Sequence, residues 1–174
     1  MLRGRAMSGS GRSLGLRTTS PDGASRARAA LEASGIPFTL TTHGRVSSLA
    51  EAAAARGVEP SGIIKTLVVR RGEGDFLLVL VPGDRQISWP KLRELLGVSR
   101  MSMPDAATAF EVTGYERGTI TPFGSTTAWP VVADARVVGQ VSIGAGAHGT
   151  AATVDGADLV RVLDATVADV TDPL

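Results

Sequence analysis

Residues 63–81 read Ile63-Ile64-Lys65-Thr66-Leu67-Val68-Val69-Arg70, then Arg71-Gly72-Glu73-Gly74-Asp75, then Phe76-Leu77-Leu78-Val79-Leu80-Val81. Two apolar runs flank a short polar segment with two glycines, the pattern of a β-hairpin. It predicts strands over 65–70 and 76–81. A hairpin among segments that elsewhere alternate helix and strand signals points to an α+β fold, not to regular βαβ winding.

Outward from the hairpin, the punctuation is clear. Before it, residues 24–34 have helical spacing at Ala27, Leu31 and Ser34, with Gly35 as the stop. Phe38 and Leu40 alternate with threonines, which predicts a strand. Ser48-Leu49-Ala50-Glu51 is a capping box that opens a helix ending at Gly57. After the hairpin, Ser88 caps a helix with Pro90 in its first turn and Gly97 at its end. A short strand near 98–101 and a helix near 104–112 follow. Strands are expected at 131–133, 140–143 and 150–154, and a last helix runs from its cap Asp155 through Leu163.

Composition sets the limits. The chain has 174 residues, 43% hydrophobic and 20% charged, as expected for one globular domain. It has no cysteine, which removes disulfides, thiolate nucleophiles and Cys-ligated metals, and fits a reducing, cytoplasmic setting. No apolar stretch reaches the roughly 18 residues of a membrane span. The net charge of +1 divides unevenly. Residues 1–28 carry six arginines against Asp22, or +5, and the remainder carries 12 basic and 16 acidic residues, or −4. Nucleic-acid binding would therefore need a local basic site or the Arg-rich start. Residues 1–22, rich in Gly, Ser and Arg, read as a disordered tail ahead of a domain over 23–174. A transit peptide and a start at Met7 are the alternatives.

Lys65 stands inside the first apolar run, and only Lys91 shares its residue type; the other 16 basic residues are arginines. A compact ammonium wanted at one site is one reading. A snorkelling stem over apolar surface is the other. His43 and His148 have no paired spacing, so no metal ligand set is expected. No G-x-S-x-G elbow is present. Gly144-Ala145-Gly146-Ala147-His148-Gly149 has the spacing G-x-G-x-x-G, but a strand follows it, so a hairpin turn with close backbone approach is expected instead of a dinucleotide site. Gly118-Thr119-Ile120-Thr121-Pro122 is a loop whose bare backbone groups could orient a water or an ester carbonyl.

Together, Ile64-Lys65-Thr66-Leu67, Thr113-Gly114-Tyr115 with Gly118, Pro122 and Gly124, Val141–Gly149 and Ala157–Ala165 resemble the YbaK family of free-standing aminoacyl-tRNA deacylases, related to the editing insertion of bacterial prolyl-tRNA synthetases. The resemblance covers residues 25–172. It implies a single-domain α+β fold with a mixed, mostly antiparallel, barrel-like sheet flanked by helices. It implies hydrolysis of the ester that joins a small amino acid to the 3′-terminal ribose of a mischarged tRNA, cysteinyl-tRNA(Pro) being one such substrate. The catalytic group it implies is Lys65, Gly118 and Pro122. The substrate-binding group is His43, Thr66, Tyr115, Gly144, Gly146 and His148. No metal and no cofactor are implied; the partners are the mischarged tRNA and, as a second candidate, an aminoacyl-tRNA synthetase. Family members of the cysteinyl-tRNA(Pro) type carry a tyrosine at the place of His43 and an aspartate at that of Ala151, which bears on the amino acid accepted. A non-catalytic tRNA- or nucleotide-binding module or a synthetase-associated partner domain of the same fold is the alternative.

Overall fold

The computed structural model describes residues 22–174, so the reading of a disordered tail over 1–22 lies outside the described residues, Asp22 excepted. The elements are helix α1 (Gly23–Ser34), strand β1 (Thr39–Thr42), helix α2 (Leu49–Arg56), strands β2 (Ile63–Gly72), β3 (Asp75–Pro82) and β4 (Arg85–Ile87), and helices α3 (Trp89–Leu96) and α4 (Ala106–Thr113). Strands β5 (Val131–Asp134), β6 (Gln140–Gly144) and β7 (Thr150–Asp155), helix α5 (Gly156–Val162), and strands β8 (Thr166–Ala168) and β9 (Thr171–Pro173) complete it.

The fold is α+β. Seven strands form one mixed sheet in the order β1-β7-β6-β2-β3-β5-β8, and β4 pairs with β9 beside it. The long pairings, β2 with β3, β6 with β7 and β1 with β7, are antiparallel. The parallel contacts of β2 with β6, β3 with β5 and β5 with β8 are shorter.

The central hairpin is buried on both faces, so its strands are apolar almost throughout instead of alternating. Ile64, Val68, Leu78 and Leu80 turn to one core, together with Leu31 of α1 and Ala109 of α4. Val69, Leu77, Val79 and Val81 turn to the other, under Leu92 of α3. Each fully buried aliphatic side chain contributes about 1.5–3 kcal/mol.

The helix signals hold in detail. Ser48 Oγ accepts from the Glu51 N–H at 3.1 Å, and Glu51 reaches back to the Ser47 N–H at 2.8 Å, one residue earlier than the usual capping box. Two expectations need revision. No strand forms over 98–101; Ser102 makes a single bridge to Arg70. The three-residue strands β4, β8 and β9 were not expected, because alternation cannot register over so short a span.

The feature that positions the site is an interruption beside β2. Strand β6 pairs with β2 only at Ile63 and Ile64. The Ile63 carbonyl accepts from the Gly83 N–H at 2.6 Å, so the odd-numbered residues of β2 address β3. Even-numbered residues address the opposite edge, where Arg70 exchanges bonds of 2.8 and 3.1 Å with Ser102. Between Ile64 and Arg70, the N–H and C=O groups of Thr66 and Val68 have no backbone partner among the described residues.

Candidate functional site

A cleft of roughly 440 Å³ opens along that interrupted edge. Its floor is apolar, with Ile64, Val68, Ala109 and Ile120 facing it and Met103 and Pro104 on one wall. Three cations border it: Arg56, Lys65 and Arg117. No carboxylate, imidazole or serine is among its lining residues. Gly118 and Gly144, the latter at the end of β6, complete the lining.

Lys65 is half-buried, and its Nζ donates to the Arg85 carbonyl at 2.7 Å. Burial lowers the ammonium's pKa from the ordinary lysine value, and nearby Asp84 offsets part of that shift. One of its three donors is thus spent on the protein. The Thr66 hydroxyl is buried and has no hydrogen-bond partner among the described residues. It stands beside the unpaired backbone groups of its own strand.

The glycines meet two different demands. Gly118 has φ +90, in the left-handed region, while an added Cβ would sit at an ordinary 3.5 Å from the His148 ring. The backbone angle, not crowding by the protein, requires glycine there. Gly144 is tight instead: a Cβ would lie 3.1 Å from the Ile120 carbonyl oxygen. Gly146 serves the fold, since a Cβ would run into the Gly23 carbonyl at 2.2 Å, where α1 begins.

The residues singled out in the sequence therefore separate. Lys65, Thr66, Gly118 and Gly144 line the cleft, and Pro122 does not. His43 stands behind Arg56, whose Nε donates to His43 Nε2 at 3.3 Å; His43 Nδ1 lies 2.8 Å from the Gly44 carbonyl oxygen. Those contacts fit a neutral ring with its proton on Nδ1. Tyr115, Gly146 and His148 line a separate depression near the start of α1. Tyr115 is fully buried, its hydroxyl donates to the Phe123 carbonyl at 2.6 Å, and Arg26 lies 4.7 Å over its ring. Burial raises its pKa. His148 is exposed, 3.5 Å from Glu116.

Sequence reasoning did not single out Arg56, Arg117 or Met103. Each comes from a different segment, and only the fold brings them to one cleft. Their signal was slight, since arginine is the common base of this chain. Among the described residues, no group of three or more His, Cys, Asp or Glu side chains is placed to hold a metal ion, and no helix is long and apolar enough to cross a membrane.

Comparison with known proteins identifies the family and the fold. The model of the aminoacyl-tRNA editing domain matches residues 43–162, more than half of the chain. The proline–tRNA ligase of Trichlorobacter lovleyi is 32% identical over 125 residues, which are 72% of this chain and 21% of the ligase. That of Syntrophotalea carbinolica is 30% identical over 152 residues, 84% of this chain and 26% of the ligase. The chain thus spans about a fifth to a quarter of the length of these ligases. The crystal structure of a candidate trans-editing enzyme for prolyl tRNA synthetase superposes with a TM-score of 0.78 at 26% identity, covering 88% of this chain and 99% of the other.

Proposed function

The chain belongs to the aminoacyl-tRNA editing domain family, and on that premise we propose that it hydrolyses the aminoacyl ester of a mischarged tRNA. The observation that carries this reading is the cleft: three cations around an apolar floor, with unpaired backbone groups and no carboxylate, imidazole or serine among the lining residues. A catalyst of this kind orients the ester and a water, and leaves proton movement to the substrate and solvent.

The cations suit the phosphates and ribose of the 3′ terminus, Lys65 being the one whose ammonium is partly desolvated. Ile64, Val68, Ala109 and Ile120 suit a small aliphatic or thiol-bearing amino acid. Water oxygen bonds to the ester carbonyl carbon, and the oxyanion that forms is met by backbone N–H groups at the cleft wall. The bond from carbon to the ribose 3′ oxygen then breaks. That oxygen takes a proton relayed from the attacking water through the neighbouring ribose hydroxyl. Products are the free amino acid and uncharged tRNA. Gly118 keeps the loop in the angle that brings its backbone to the ester, and Pro122 stiffens the same loop from outside the cleft. We further propose that residues 23–174 form the deacylase domain and that tRNA(Pro) carrying a small amino acid is the substrate, as the likeness to proline–tRNA ligases suggests.

The test is a panel of mischarged tRNAs, assayed for deacylation with the wild-type protein and Lys65→Ala. Hydrolysis of one or more members, retained in EDTA and lost in the variant at unchanged melting temperature, is the expected outcome. Tight tRNA binding without turnover of any member would replace the reading with a non-catalytic tRNA-binding module.

A further inference from the structure

Beyond the bridge between Arg70 and Ser102, β2 runs on into a second depression, roughly 490 Å³ in volume. Its walls carry Arg70, Arg71, Arg93 and Arg100 together with Ser99 and Ser102. One carboxylate touches this group: Asp75 accepts from Arg71 at 3.0 Å. Arg70 spends one N–H on the Gly72 carbonyl at 3.1 Å. Arg93 and Arg100 have no side-chain hydrogen bond or ion pair among the described residues. Glu73 and Glu94 are neighbours in sequence, but both are exposed and neither lines the depression. Four guanidiniums against one carboxylate is a pronounced focus on a body whose residues 29–174 sum to −4.

The depression is not isolated from the cleft. Strand β2 and the segment 99–106 border both, with Met101 and Ser102 on one side of the bridge and Met103, Pro104 and Ala106 on the other. Six residues of strand separate Lys65 from Arg71, or about 20 Å at the rise of an extended chain. Cations therefore mark both ends of one track: Arg56, Lys65 and Arg117 at the ester, and the four arginines farther along. Guanidinium forks match phosphate oxygens in pairs, which a lone ammonium cannot do.

We propose that the arginine depression binds the phosphodiester backbone of the acceptor stem of the tRNA whose 3′ terminus lies in the cleft. The proposal rests on the editing function for the direction of the track. The contact sets affinity and register and takes no part in the chemistry. Because backbone phosphates carry no sequence information directly, discrimination among tRNAs is not its role.

The decisive variant is Arg93→Glu/Arg100→Glu, since neither side chain has a hydrogen-bond or ion-pair partner to lose among the described residues. Its affinity for uncharged tRNA, measured across salt concentrations, should fall at least about tenfold at low salt, and the slope of log affinity against log salt should shrink by about 2. Hydrolysis of an aminoacyl substrate trimmed to its terminal trinucleotide should stay at the wild-type rate, while the full tRNA shows a raised KM. Arg93→Lys/Arg100→Lys should keep the salt slope. Wild-type affinity and slope in the glutamate variant would overturn the proposal. So would equal loss on trimmed and full substrates. Titration with inorganic phosphate separates a small-anion site: phosphate binding abolished by the variant, with tRNA affinity untouched, would also overturn it. If wild-type protein hydrolyses neither substrate yet the variant loses tRNA affinity, the editing reading falls and this site stands.

Discussion

The chain spends its two lysines in opposite ways. Lys91 is saturated: its Nζ lies 3.2 Å from Asp169 and 3.1 Å from Asp172, and hydrogen bonds to Asp172 and then Asp169 raise its pKa. Asp169 also accepts from Arg136 at 2.9 Å, and Arg136 in turn pairs with the fully buried Asp134. Lys65 has a backbone carbonyl for its one hydrogen-bond partner among the described residues and a pKa lowered by burial. In the first region charge closes on itself and ties the segment of β8 and β9 to β5 and α3. In the second, charge is left open beside a cleft. The difference separates a cation enclosed by carboxylates from one whose ammonium faces a cleft with a single backbone partner among the described residues.

The comparison breaks most readily at Asp134. Its carboxylate accepts from the Val170 N–H at 3.1 Å and the Thr171 hydroxyl at 2.9 Å as well as from Arg136. Removing it strands buried donors, so Asp134→Ala should cost about 3–5 kcal/mol, read as a melting temperature lower by about 10 °C. Deacylation per folded molecule should persist at low temperature. Lys65→Ala is the mirror image: a loss of about 100-fold in kcat/KM with the melting temperature nearly unmoved. If instead Lys65→Ala unfolds the protein and keeps its turnover, the division between the two regions is wrong.

Gly118→Ala sharpens the boundary between them. Its φ of +90 disfavours any Cβ, at a cost of about 1–2 kcal/mol, yet the space for a methyl exists. Activity should fall more than stability does. Lys91→Ala should lower the melting temperature by a few degrees and leave deacylation untouched.

The smallest effect is a titration. Arg136 first, and Lys91 second, hold Asp169 down to about 2, below its unfolded value. A depressed carboxylate contributes stability above the unfolded pKa and loses it as pH falls through the folded one. Part of the acid denaturation should therefore lie between the ordinary carboxylate range and pH 2, and Asp169→Asn should remove it. Lys91, raised, acts in the opposite sense: its contribution is complete below the unfolded lysine value and disappears as pH rises past the folded one.

Much of the fold was legible because its signals are local. The hairpin at 63–81 and the caps Ser48 and Ser88 each sit within a few residues of what they determine. The bridge at Ser102 and the pairing of β4 with β9 are long-range, and no local pattern announces them. The site divides along the same line. Lys65 stood out as a charge in an apolar run, whereas Arg56 and Arg117 reach the cleft only through the sheet. Gly146 stood out through its glycine-rich turn and Tyr115 through the resemblance alone, and what local sequence could not announce is their long-range packing with Gly23, Arg26 and Phe123.

The gap beside β2 has a consequence for the protein in a crowded solution. Unpaired strand edges invite pairing with other chains and so seed aggregation. In this gap the backbone groups without a backbone partner among the described residues belong to Thr66 and Val68, bounded by β6 on one side and Ser102 on the other. An invading strand needs a longer run of partners than that to hold its register. The gap is too short to seat a further strand, whether from this chain or from a second copy of it.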